Sequence, residues 1–156
     1  MKIRNAWCSI SKTGGGESPR FFSWDARMSL ELSYLLWSAV LAFVYVVAQA
    51  GAYRLQNGLV EADPNRDVQP PPDVFTARAT RALRNFHETY PIFIVLVVVT
   101  EFTGRGGPLT GWGAAIWFWA RAAYLPIYVG GLGLVRSAVW GVSAIGLALM
   151  FAGIAI

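Results

Sequence analysis

Residues 32–53 read LSYLLWSAVLAFVYVVAQAGAY, with no charged side chain. Crossing the bilayer core takes roughly 20 apolar residues in a helix, so this run predicts a first transmembrane helix over about 30–53. A polar stretch follows, EADPNRDVQPPPD, whose consecutive Pro70, Pro71 and Pro72 cannot continue a helix. The pattern then turns apolar three more times. These stretches predict helices over about 76–101, 109–128 and 135–156, parted by TGRGGP (103–108) and GGLG (130–133). Four spans with short connections imply an all-α integral membrane protein, a four-helix bundle over 29–156.

The first 28 residues break the pattern. They hold five Lys/Arg, a GGG run and no long apolar core, so they are neither a signal peptide nor a span. They are expected to form a disordered N-terminal extension. Charge bias supports setting them apart. Arg54, Arg66, Arg78, Arg81, Arg84 and Arg136 gather at one end of the predicted bundle, and Arg105 lies at the other. The positive-inside rule places the arginine-rich end in the cytoplasm and both termini outside. A basic leader would sit on the wrong side, which predicts a native start at Met28.

Composition agrees with a membrane protein: 55% of residues are hydrophobic, 14% are charged, and mean hydropathy is +0.45. Seven Trp and six Tyr suit the water–lipid boundary. The net charge of +4 comes without a basic run interleaved with aromatics, which argues against nucleic-acid binding. The single cysteine, Cys8, excludes an intrachain disulfide framework, a cysteine metal cluster and a dithiol oxidoreductase. His87 stands alone without a second metal ligand nearby and is read as interfacial; no metal is expected.

The second helix keeps charge where a span should shed it. Arg78, Arg81, Arg84/Asn85 and Glu88 recur every three or four residues and form one stripe. On the third helix Arg121, Tyr124 and Tyr128 follow the same rule, and Arg136–Ser137 opens the fourth. A charge inside a span costs roughly 2.5–3.5 kcal/mol on insertion scales, so such residues usually face a protein interior. Pro91 lacks the N–H that would bond the His87 carbonyl and is expected to kink the helix beside the stripe. Simpler readings stand beside this one. Arg66, Arg78 and Arg105 are expected to be solvated or to meet headgroups. Arg81 is divided between headgroup and site, and Glu88 and Arg121 between a ligand site and an interhelical ion pair. Glu31 and Glu101 are read as span-end charges. Ser137, Gly141, Ala144, Ala148 and Ala152 form a small-residue face suited to close helix packing or a subunit interface.

Together these residues resemble a known family. RALRNFHETYP (81–91) is similar to the second-helix signature of the MAPEG superfamily, membrane-associated proteins in eicosanoid and glutathione metabolism. That signature is an Arg-Asn pair, a Glu three residues on and a Pro soon after. The series Arg121, Tyr124, Tyr128, Arg136–Ser137 resembles the family's third-to-fourth-helix pattern, and GAYRLQ (51–56) resembles its first-helix end. The likeness covers about 29–156. It is strongest to bacterial members and more distant to microsomal glutathione transferases and prostaglandin E synthase. It implies a homotrimer in a bacterial inner membrane, with glutathione held between subunits near the cytoplasmic side.

Carried over by motif, Arg54, Arg84, Asn85, Glu88, Tyr124 and Tyr128 become expected glutathione contacts. Arg136 becomes the cation that stabilises the thiolate, with Ser137 as hydroxyl helper. The chemistry suits the ligand: arginine forks match its two carboxylates and Glu88 its ammonium. A free thiol ionises with a pKa of about 8.5, and a nearby cation lowers it. Two departures stand out. Trp140 lies where the family often has tyrosine, and Tyr124 where some members have histidine. The resemblance implies a glutathione-dependent transferase or peroxidase acting on lipophilic electrophiles, or a non-catalytic binder of lipids or ligands. A small four-helix transporter would need a carboxylate in the middle of its first span, and none is there.

Overall fold

The computed structural model describes residues 28–58 and 70–156. The expected extension over 1–27 and the middle of the first connection, with Arg66, lie outside the described residues. Four helices follow in order: α1 (Leu30–Asn57), α2 (Val74–Thr103), α3 (Pro108–Gly130) and α4 (Gly133–Ala155). The starts of α1 and α2 have a local cause. The Ser29 hydroxyl accepts from the Leu32 N–H and opens α1. Asp73 does the same for α2, accepting from the Thr76 backbone at 2.7 Å, and this bond holds its carboxyl below the usual range. α1 runs a full turn beyond the predicted end at 53. A terminal arginine does not stop a helix, and the chain turns only at Gly58, where φ is +79°.

α1, α2 and α4 are long and apolar enough to cross a membrane. α3 carries the buried Arg121 and three tryptophans, which lower its mean hydropathy. The bundle exterior is apolar at Phe43, Phe102, Trp119 and Phe151, as a lipid-facing surface requires. Its core is aromatic. Trp117 of α3 stacks on Phe93 of α2 with ring centres 4.0 Å apart, and Tyr45 of α1 stacks on Phe86 at 4.6 Å. The Tyr45 hydroxyl donates to the Arg121 carbonyl at 2.7 Å and ties α1 to α3.

α3 and α4 share the most extensive helix contact. They meet where Gly113 faces Gly146, with Ser143 and Met150 also buried. The packing face of α4 is thus Ser143, Gly146, Met150 and Gly153. The small-residue face read from the sequence is rotated away from it, with Ser137 and Ala148 exposed.

Two arginines assigned to water or headgroups do something more specific. Arg78 donates to the Val129 carbonyl at 3.2 Å, and Arg105 donates to the Ile154 carbonyl. Each guanidinium neutralises the carbonyl end of a helix, a favourable place for a cation. Gly131, which turns the chain between α3 and α4, sits at φ +82° directly under Arg78. A Cβ there would lie 2.6 Å from an Arg78 nitrogen. Gly131→Ala is expected to lower stability by about 1–2 kcal/mol, the cost of a left-handed non-glycine residue, and to dislodge Arg78. Thermal unfolding in detergent would test this; an unchanged midpoint would refute it.

Candidate functional site

The stripe on α2 faces a cavity of about 440 Å³ walled by α3 and α4. Arg81, Arg84, Asn85 and Glu88 line one side, Tyr124 and Tyr128 another, and Arg136, Ser137 and Trp140 the third. Helical spacing explains the first two walls, since residues three and four apart share a face. The third wall exists because only two residues separate α3 from α4, so the first turns of α4 lie beside the last turns of α3.

Within the cavity the charges are ordered. Arg84 Nε lies 3.3 Å from Glu88 Oε1, one turn along the same helix. The Arg136 guanidinium sits over the Tyr128 ring at 4.8 Å, a cation–π contact that fixes its direction. Tyr124 and Tyr128 have ring centres 5.4 Å apart. The Ser137 hydroxyl donates to the Gly133 carbonyl of its own helix at 3.4 Å.

Arg121 stands behind this wall, 1% exposed. The ion pair read between Glu88 and Arg121 is not the one formed: Glu88 meets Arg84, and Arg121 Nη1 donates to Asn85 Oδ1 at 2.8 Å. The reason is direction. Glu88 points outward on α2 with its side chain 55% exposed, whereas Arg121 is enclosed between helices, where its guanidinium meets the inward-leaning Asn85 and the Tyr124 ring. With its carbonyl oxygen occupied, the Asn85 amide keeps its NH₂ group for the cavity. The Arg121 Nε–H is buried without an acceptor among the described residues. Arg121 therefore holds Asn85 in place without lining the cavity. Sequence reasoning missed this link, although burial of a mid-helix arginine was its signal.

The cavity brings together seven of the residues singled out from the sequence: Arg84, Asn85, Glu88, Tyr124, Tyr128, Arg136 and Ser137. Arg54 is not among the lining residues; it lies exposed in the last turn of α1. Arg81, divided between two readings, lines it, as does Trp140. Chemically the surface offers guanidinium forks, a carboxylate, an amide and two phenols, a set suited to a small zwitterion carrying carboxylates.

Comparison with known proteins gave one result. No curated protein and no solved structure matches the chain. Residues 34–156 match the MAPEG family, which takes in all four helices from early in α1 to the end of α4. An integral membrane four-helix bundle with a polar cavity at one end, the chain belongs to the MAPEG family.

Proposed function

We propose that the protein is a membrane glutathione transferase or peroxidase acting on lipophilic electrophiles. One observation carries the proposal: three guanidiniums, a carboxylate, an amide and two phenols converge on one cavity between membrane-length helices. Arg84 and Arg81 suit the glutathione carboxylates, Glu88 its ammonium, and the Asn85 NH₂ an amide carbonyl. Arg136 is the cation that favours the thiolate, and Ser137 completes the support once its hydroxyl turns from Gly133. In conjugation the thiolate sulfur bonds to the electrophilic carbon, and the leaving group departs with the bonding pair. Substrate arrives through the membrane lipid around the bundle.

The proposed unit is a homotrimer. Arg84 and Glu88 expose 82% and 55% of their side chains on a membrane-length helix. Facing lipid, each would cost roughly 2.5–3.5 kcal/mol, so a second copy covering the open side of the cavity relieves a real penalty. The arginine-rich end is proposed to face the cytoplasm of a bacterial inner membrane, with both termini outside.

Glutathione binding by the detergent-purified protein, followed by calorimetry and thiolate absorbance, tests the proposal. Saturable binding with a thiolate signal is expected. Arg136→Ala is expected to lose the signal, and Glu88→Ala to bind about tenfold more weakly, the scale of one charge-assisted hydrogen bond. Absence of binding would sink it. A second reading, a binder without turnover, is favoured by the Ser137 hydroxyl turned to its own helix and by Trp140, which has no phenol. Binding without thiolate would select it.

A further inference from the structure

A second site lies at the opposite end of the bundle, where α1 and α3 begin. Glu31, read from the sequence as a span-end charge, is only 5% exposed. The helix starts enclose it. Gly111 on α3 lets α1 approach so closely that a Cβ there would lie 3.1 Å from Leu30 and 3.9 Å from Glu31 Oε1. The Thr110 hydroxyl donates to Glu31 Oε1, while Oε2 has no partner among the described residues. Oε2 is not sealed off by the protein, so half of the carboxylate stays open to a ligand that reaches the cavity.

Glu31 lines a cavity of about 410 Å³ together with Tyr34, Gly107, Pro108 and Trp112. A carboxylate flanked by aromatic faces suits an ammonium group. Gly107, at the start of α3, gives its N–H to the Thr110 hydroxyl but has no side chain to cover the N–H groups of the first turn, whose positive end opens toward the same cavity. The cavity does not end there. Trp112 and Ala115 also line an almost wholly apolar groove of about 350 Å³, which continues past Trp119 to Ala123 on α3 and Val142 on α4. From Trp112 to Ala123 a helix rises about 16 Å. That is about one leaflet of a bilayer core roughly 30 Å thick.

A polar pocket with an anionic end opening into an apolar groove one leaflet long has the shape of an amphiphile. We propose that this site binds a membrane phospholipid bearing a primary ammonium, of the phosphatidylethanolamine class. The ammonium hydrogen-bonds the free oxygen of Glu31, the phosphate meets the start of α3, and an acyl chain lies along the Trp119 groove. A quaternary headgroup has no N–H for Glu31, and an anionic glycerol headgroup opposes it. The site shares no lining residue with the arginine-rich cavity, so it stands whether or not glutathione binds there.

The test is native mass spectrometry of the full chain in detergent with short-chain phosphatidylethanolamine, phosphatidylcholine and phosphatidylglycerol of identical acyl chains. Wild type is expected to retain phosphatidylethanolamine about tenfold better than either, the scale of one charge-assisted hydrogen bond. Glu31→Gln is expected to lose that preference. Trp119→Ala, which leaves Glu31 untouched, is expected to weaken retention of all three lipids and keep their order. Equal retention of the three headgroups by wild type would overturn the proposal, whether or not Glu31→Gln folds. So would a preference that survives in Glu31→Gln, because Glu31 would then only fasten two helix starts together.

Discussion

Gly146→Leu is expected to yield no recoverable folded protein, and even Gly146→Ala to destabilise the bundle. Ala normally improves a helix interior by roughly 0.5–1 kcal/mol over Gly, so local propensity argues for the opposite sign. Contact geometry decides against it. A Cβ at Gly146 would lie 2.8 Å from the Gly113 carbonyl oxygen and 2.8 Å from the Trp117 nitrogen. A Cβ at Gly113, on the facing helix, would meet the Gly146 carbonyl oxygen at 2.6 Å. Both obstacles are backbone, which cannot rotate aside as a side chain can. Overpacking a core costs about 1–3 kcal/mol when side chains yield, and separating two helices exceeds that. Gly141→Ala is the control. Nothing lies within 4 Å of its Cβ position, so it is expected to be neutral or to stabilise by up to about 1 kcal/mol. The yield of folded Gly146→Leu and the thermal unfolding of Gly146→Ala and Gly141→Ala beside wild type in one detergent decide the matter. A higher midpoint for Gly146→Ala than for wild type would refute the close approach.

Arg121→Met is expected to separate stability from binding. The substitution removes a buried cation whose Nε–H has no acceptor among the described residues, and it leaves the aliphatic volume largely filled. Replacing a buried charge by an apolar side chain of similar size is often neutral or stabilising. Against that stands the lost bond to Asn85, worth roughly 1–3 kcal/mol. The two effects oppose each other, so the unfolding midpoint is expected to move little. Affinity has no such compensation. Asn85, no longer held by its carbonyl oxygen, presents its NH₂ group to the cavity only part of the time. Under the glutathione proposal, binding is expected to weaken by about tenfold, with Arg121→Lys recovering part of the loss. Calorimetry beside thermal unfolding gives both quantities. Unchanged affinity in Arg121→Met would remove Arg121 from any positioning role and leave it a structural residue.

The helices were legible because a bilayer imposes a simple rule: a long charge-free run has few ways to fold. The cavity was legible for a related reason. Charge kept at helical spacing inside a span has to face something polar, and of the two stripes found that way Arg81, Arg84, Asn85, Glu88, Tyr124 and Tyr128 share one cavity, with Arg136 and Ser137, whose part the family resemblance added. Partners were much less legible. Glu88 chose Arg84 on its own helix over Arg121, and spacing alone does not rank those options. Arg78 and Arg105 look like headgroup contacts until the carbonyl ends of α3 and α4 are seen beside them. Glu31 is the sharpest case. Near a span end a buried carboxylate and a hydrated one have the same sequence signature, and only the glycines that bring α3 against α1 tell them apart. The face by which α4 packs on α3 differs from the small-residue face read in the sequence because almost any face of so small-residued a helix suits close packing, and the exposed face is the one a neighbouring subunit would have to use.

The bond from Tyr45 to Arg121 spans 76 residues of chain, whereas α3 and α4 are joined by two. Contacts that close long loops form late, and local ones form early. During synthesis the first helix therefore enters the membrane well before its anchor exists. Tyr45 stacks on Phe86 once α2 has followed, but its hydroxyl finds the Arg121 carbonyl only when α3 arrives, so the first helix inserted is fastened in two stages.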